Sequence, residues 1–217
     1  ESCIARIEMV NPTINAVVAT CYDRARDEAR TATEALLRGD DLPPLHGLPL
    51  GVKDLSNTEG LRTTYGSPIY ADFVPDKDER IVASLRKAGA IVVGKTNTPE
   101  FGAGGNTNNA VYGATVNPFD TARTAGGSSG GSAAALATGM LPICTGSDTG
   151  GSLRRPATYN GVVALRPTVG LVPSDRRPLG FTNYGTLGPM ARTVGDVALL
   201  LSGMAGGDNI DPLSYPH

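Results

Sequence analysis

The 217-residue sequence predicts an α/β fold, on two observations. A helical period followed by a turn and a short apolar run occurs twice, over residues 78–94 and again over 132–145, and this alternation builds a sheet flanked by helices. The 28 glycines and 16 prolines exceed what a regular helical bundle tolerates, so loops carry much of the chain and functional groups are expected on them.

The opening ESCIARIEMV reads as a helix already under way, with Ile4, Ile7 and Met9 near one face, ending at the turn Asn11-Pro12. The true N-terminus is therefore expected to be missing, which leaves a signal peptide open. Residues 22–38 set Ala25, Ala29, Ala32, Ala35 and Leu36 on a helical period that Gly39 closes. Residues 48–55 are short, apolar and flanked by proline, and read as a buried strand with Lys53 at its end. In 78–88, Ile81, Val82, Leu85 and Ala88 share a face, and Gly89 stops the helix before the strand AIVVG. Residues 132–139 are alanine-rich and helical, and 141–145 form a short strand. Thr193-x-x-Asp196 resembles a capping box for a last helix with Val194, Val197, Ala198, Leu201 and Met204 on its apolar face. From Gly206 on the chain reads as loop. No repeat or low-complexity linker divides it, so 1–217 is expected to be one domain.

The 19 basic and 21 acidic residues are dispersed, with no run of one sign, so neither a nucleic-acid footprint nor a membrane-surface patch is seen. No apolar stretch reaches the roughly 18 residues that a spanning helix needs. Cys3, Cys21 and Cys144 are odd in number and far apart, which argues against a disulfide framework or paired-cysteine zinc site and points to a reducing, cytoplasmic setting.

The most unusual stretch is Gly126-Gly-Ser-Ser-Gly-Gly-Ser132. Three readings compete for it: an anion cradle at a helix N-terminus, a hydroxyl-based active site, and a flexible turn. The P-loop lysine is missing. A second turn of similar make-up, Gly146-Ser-Asp-Thr-Gly-Gly-Ser152, follows, and the two serine turns could converge. Residues 126–130 also fit the G-x-S-x-G nucleophile elbow, but of the two histidines His46 precedes the motif in a proline-rich loop and His217 is the last residue, so a Ser-His-Asp triad has poor support. A lysine can replace histidine as base where desolvation keeps it neutral. Lys53, after the apolar LPLGV, is the first candidate and Lys95, after AIVVG, the second; Lys77 and Lys87 sit in charged surroundings. Cys144, in the apolar run LPIC, reads as a packed core residue.

GVKD at 51–54, GGSSGGS at 126–132 and GSDTGGS at 146–152 together resemble the amidase-signature family in order and spacing. The likeness extends over nearly the whole chain through ARIE at 5–8, GKTNTPEF at 94–101 and GPMARTVGDVALLL at 188–201. The resemblance implies a mixed β-sheet core flanked by α-helices. It also implies a hydrolase of carbon–nitrogen bonds other than peptide bonds, which turns a linear carboxamide into a carboxylic acid and ammonia or an amine through an acyl-enzyme. By motif, Lys53 would be the base, Ser128 the bridging residue behind a cis Gly127-Ser128 peptide, Ser152 the nucleophile and Ser129 a supporting partner. The backbone N–H groups of Thr149, Gly150, Gly151 and Ser152 suit an oxyanion hole. Asp148 and Arg154 are expected to pair and hold the turn. Arg155 stands where malonamidase-like members bind a substrate carboxylate, and Asn183 and Tyr184 are expected near the site.

A small-molecule amide is the expected partner, with neither nucleic acid nor membrane, no cofactor or metal required, and a homodimer left open. Ala125 in place of a proline common in the family, and Thr158-Tyr159-Asn160 in place of Ala-Phe-Cys, are departures that bear on the pocket. The family's catalytic domain is considerably longer, so the chain is expected to be a fragment lacking the C-terminal half, with a sheet incomplete at one edge. The runner-up is the glutaminase subunit of a transfer-RNA-dependent amidotransferase, although the segment after Pro173 lacks the serine-rich sequence of that subunit. From another class comes a catalytically silent binding protein on the same fold, against which stand intact Lys53, Ser128 and Ser152.

Overall fold

A computed structural model describes residues 1–177 and 180–215. The strands are β1 (Val17–Thr20), β2 (Pro49–Lys53), β3 (Ile91–Thr96), β4 (Asn108–Asn109), β5 (Gly113–Ala114), β6 (Val116–Asn117), β7 (Asp120–Thr124), β8 (Ile143–Asp148), β9 (Val163–Ala164) and β10 (Thr186–Ala191). The helices are α1 (Ser2–Ile14), α2 (Tyr22–Arg38), α3 (Arg80–Lys87), α4 (Gly130–Ala137), α5 (Arg154–Tyr159) and α6 (Val194–Met204).

Six strands form one mixed sheet in the order β1-β3-β2-β8-β10-β9. The centre is parallel, β3 and β8 both running with β2, while β1, β10 and β9 are antiparallel to their neighbours. The pairs β4–β5 and β6–β7 form separate antiparallel ribbons. Side chains alternate across a pleated strand, and each central strand accordingly feeds two cores. Ile143 and Cys144 of β8, Val92 and Val93 of β3, and Ala191 and Met190 of β10 divide between them. One core gathers α1, α4 and α5, with Ile7, Leu136, Leu141 and Leu153; the other gathers α3 and α6, with Leu85, Val82, Leu200 and Met204. Helices thus cover both faces of a mixed sheet, the α/β class that the sequence implies. Among the described residues no helix is long and apolar enough to cross a membrane.

Several boundaries differ from the sequence reading. The expected turn at Asn11-Pro12 lies inside α1, which ends instead at Asn15 in the left-handed region at φ 56°. Proline gives up one N–H without stopping the Asn11 carbonyl from accepting the Asn15 N–H at 2.7 Å. Asn11 Oδ1 then accepts the N–H groups of Ala16 and Val17, both at 2.8 Å, and steers the chain into β1. Met9 is 73% exposed, because two residues past Ile7 is about 200° around a helix. α2 keeps its expected limits but buries only Ala25; Ala29 and Leu36 face outward. An Arg86–Glu28 ion pair at 2.7 Å, not an apolar seam, ties it to α3. α4 begins two residues before the alanine-rich run, and β8 extends through Gly146, Ser147 and Asp148 of the second serine turn. α6 has the expected cap, Thr193 Oγ1 accepting the Asp196 N–H at 3.1 Å, but its buried residues are Val197, Leu200 and Met204, with Val194 and Ala198 exposed.

Candidate active site

The alternation of β2 decides where its lysine goes. Leu50 and Val52 pack into the α3/α6 core, so Gly51 and Lys53 face α4. At Gly51 a Cβ would lie 2.6 Å from Leu141 Cδ1 and 2.8 Å from Cys144 Sγ, so only glycine lets α4 and its flanking segments settle this close. One pleat further on, Lys53 reaches the start of that helix. Lys95 goes the other way. Leu50 pairs with Val92 but Gly51 with Gly94, an extra residue in β3 that reverses its parity and sets Lys95 beside Val52. There it donates to the Ser56 carbonyl and, at 2.9 Å, to Thr58 Oγ1, away from the serine turns.

Lys53 Nζ is 2.7 Å from Ser128 Oγ, 2.9 Å from Ser129 Oγ and 2.9 Å from Ser147 Oγ. The side chain is 2% exposed, and burial pushes its amine down to about 7 against the opposing pull of the Asp148 carboxylate. The Gly127-Ser128 peptide is cis. Gly131, in the first turn of α4, would put a Cβ 2.2 Å from the Asn97 N, so the glycine-rich turn permits close packing against backbone; it is not a flexible hinge. Ser132 is structural, donating to the Thr145 carbonyl at 2.8 Å. The two serine turns converge where the Ser129 N–H donates to the Ser152 carbonyl at 3.3 Å. Ser152 is 8% exposed. Among the described residues Ser128 Oγ and Ser152 Oγ share no hydrogen bond; catalytic hydrogen bonds often tighten only around substrate.

Asp148 organises the turn. It accepts the N–H of Gly151 at 2.7 Å and of Leu153 at 3.1 Å, and takes both Nε and Nη2 of Arg154 at 3.0 Å. Arg166, which the sequence did not single out, adds a contact at 3.5 Å. Burial opposes its charge, but Arg154 and the two N–H groups outweigh burial and hold the carboxyl down to about 2. The Gly151 N–H, expected among the oxyanion donors, is instead committed to Asp148 Oδ1. The N–H groups of Thr149, Gly150 and Ser152 have no acceptor among the described residues.

Lys53, Ser147 and Thr149 line a cavity of about 420 Å³ together with Leu55, Phe101 and Arg176. An adjoining cavity of about 370 Å³ shares Ser147, Thr149 and Arg176 and extends to Tyr184; Asn183 is exposed and does not line either. Arg155 lines neither cavity; it packs against Gly105 and Gly151, where Cβ atoms would come within 3.0 and 3.2 Å of it. Asn160, one of the departures from the family pattern, is buried and donates to the carbonyls of Ala125 and Pro156, both at 2.7 Å. Cys144 is fully buried, and burial pushes its thiol far up. His46 sits away from the serines with Nε2 2.9 Å from the Ala32 carbonyl, and His217 lies outside the described residues. Ser147 and Arg176 line the candidate site and were not singled out from the sequence. Ser147 stands inside a quoted motif, but its contact with Lys53 is visible only once β8 pairs beside β2.

A family model described as Amidase matches residues 1–216. The chain is 45% identical over 214 residues to an acylamidase of Rhodococcus erythropolis, covering 99% of this chain and 45% of that protein. It is 44% identical over 211 residues to a glutamyl-tRNA(Gln) amidotransferase subunit of Alkaliphilus metalliredigens, covering 97% and 43%. Among solved structures, a bacterial aryl acylamidase of the amidase-signature enzymes superposes with a TM-score of 0.94 at 36% identity, covering all of this chain and 45% of that one. The chain thus spans somewhat under half the length of the curated relatives it matches. A match along the chain, relatives at this identity and a shared fold carry one conclusion: the chain belongs to the amidase-signature family.

Proposed function

We propose that this chain carries the catalytic centre of an amidohydrolase, which cleaves the C–N bond of a linear carboxamide through Ser152, Ser128 and Lys53. The observation that carries this reading is a buried lysine amine, down to about 7, within 2.7 Å of the Ser128 hydroxyl. Neutral Lys53 takes the Ser128 proton as Ser128 takes that of Ser152, and the Ser152 oxygen attacks the amide carbonyl. The oxyanion forms near the unengaged N–H groups of Thr149, Gly150 and Ser152. Return of the proton along the relay releases ammonia or an amine, and water then attacks the acyl-enzyme by the same route to free the acid.

The test is labelling with a fluorophosphonate probe and mass spectrometry of the adduct. We expect modification at Ser152, strongly reduced in Lys53→Ala and absent in Ser152→Ala. An adduct at Ser128 would overturn the assignment of the nucleophile, and no adduct on folded protein would overturn the catalytic reading. The glutaminase-subunit reading is favoured by the 44% identity to the amidotransferase protein, nearly equal to that with the acylamidase. Ammonia release from glutamine that requires co-purifying partner proteins would select it.

A further inference from the structure

Three arginines near the site use their guanidinium groups differently. Arg154 presents Nε and Nη2 to Asp148, both at 3.0 Å, and Arg177 presents the same edge to Asp211 at 2.8 and 3.0 Å. Each is a bidentate pair that spends the edge best shaped for a carboxylate. Arg176 spends only a corner. Its Nη1 donates to Tyr65 Oη at 2.8 Å and Asn57 Oδ1 at 3.3 Å and lies 3.6 Å from Glu79 Oε2, while its Cζ rests 4.9 Å over the Tyr65 ring. Among the described residues Nε and Nη2 of Arg176 have no acceptor, and the side chain, 45% exposed, lines the same cavity as Lys53.

Glu79 does not cancel this arginine as Asp148 and Asp211 cancel theirs. Its oxygens are shared with the Ser56 hydroxyl at 3.3 Å and the Asn57 N–H at 3.1 Å, and it meets Arg176 at one corner only. Tyr65, Asn57 and Glu79 therefore hold the guanidinium in place and leave its carboxylate-binding edge open. Leu55 and Phe101, on the same cavity, supply apolar wall.

We propose that Arg176 is an anion subsite and that the amide acted on carries a carboxylate. The carboxylate oxygens accept from Nε and Nη2 of Arg176, an apolar spacer crosses the Leu55–Phe101 wall, and the carboxamide meets Ser152. This rests on the amidase reading and deepens it. Arg155, packed against Gly105 and Gly151 and lining neither cavity, is not needed for it.

The test compares succinamate and glutaramate with their uncharged counterparts succinamide and glutaramide, by ammonia release. In the wild-type protein we expect kcat/KM to favour the carboxylates by about 10- to 100-fold, the range for a charge-assisted bidentate pair. Arg176→Gln should bring that ratio to near one, and Arg176→Lys, which keeps the charge but loses the fork, should leave it in between. In parallel, succinate and glutarate are titrated calorimetrically into Ser152→Ala and into Ser152→Ala/Arg176→Gln, with binding at least about tenfold weaker expected in the second. Diamide hydrolysis with no preference for the carboxylates, or dicarboxylate binding that ignores Arg176, overturns the anion subsite. Arg176-dependent dicarboxylate binding without hydrolysis of any amide, and without an adduct at Ser152, overturns the amidase reading and leaves the subsite standing.

Discussion

At the scale of single residues, the proposed chemistry rests on one amine that loses its proton near neutral pH. As the proposed base, Lys53 would work only without its proton, and burial brings its pKa to about 7, so the active fraction is expected to rise as pH increases through that value. The rate of Ser152 acylation by the fluorophosphonate, followed from pH 5.5 to 9, is expected to climb about tenfold per unit below pH 7 and to level off above it. A profile flat across that range would remove Lys53 from the role of base. That Lys53 outranks Lys95 was already suggested by its neighbours in sequence, yet both are buried and both are lowered, Lys95 to about 8. Burial alone does not separate them. The parity reversal in β3 does, and a pairing irregularity between strands leaves no local mark in the sequence. Ser147 and Arg176 were hidden for a related reason: their contacts are with groups far away along the chain.

At the scale of elements, the helices and strands with strong local periods were legible, and those that depend on partners were not. α3 and β3 follow from the alternation of apolar residues around Gly89, and α6 from its cap. β1, β9, the ribbons β4–β5 and β6–β7, and β10 as a strand were not read, because what makes each a strand is the partner it pairs with, not its own propensity. The turn between β8 and α5 shows how one side chain fixes an element. Asp148 satisfies two backbone donors and a guanidinium at once, so Asp148→Asn is expected to lower the unfolding free energy by about 2 kcal/mol in urea titrations at neutral pH. The sign of the pH effect follows from its depressed pKa. The contribution is complete above about pH 4, where the unfolded chain is also ionised, and is lost as pH falls toward about 2. Wild type and Asp148→Asn should therefore converge in stability on acidification; a constant difference down to pH 2 would assign the loss to packing.

At the scale of the whole molecule, β2 and β8 lie side by side at the centre of the sheet and carry Lys53 and Ser147, while Ser128 and Ser129 come from the turn before α4. The lysine meets its serines across 75, 76 and 94 residues of sequence. In terms of folding kinetics, closing a loop of that length costs about 2 kcal/mol more in chain entropy than closing a five-residue turn. Contacts so distant in sequence form only once the sheet is assembled. On dilution from urea, α2 and α3 can regain helical signal from local contacts, but the proposed relay cannot assemble until β2 has found both β3 and β8. Reactivity of Ser152 toward the probe should therefore return after the far-ultraviolet circular dichroism signal. Simultaneous recovery of the two would mean that helices and sheet form in a single step.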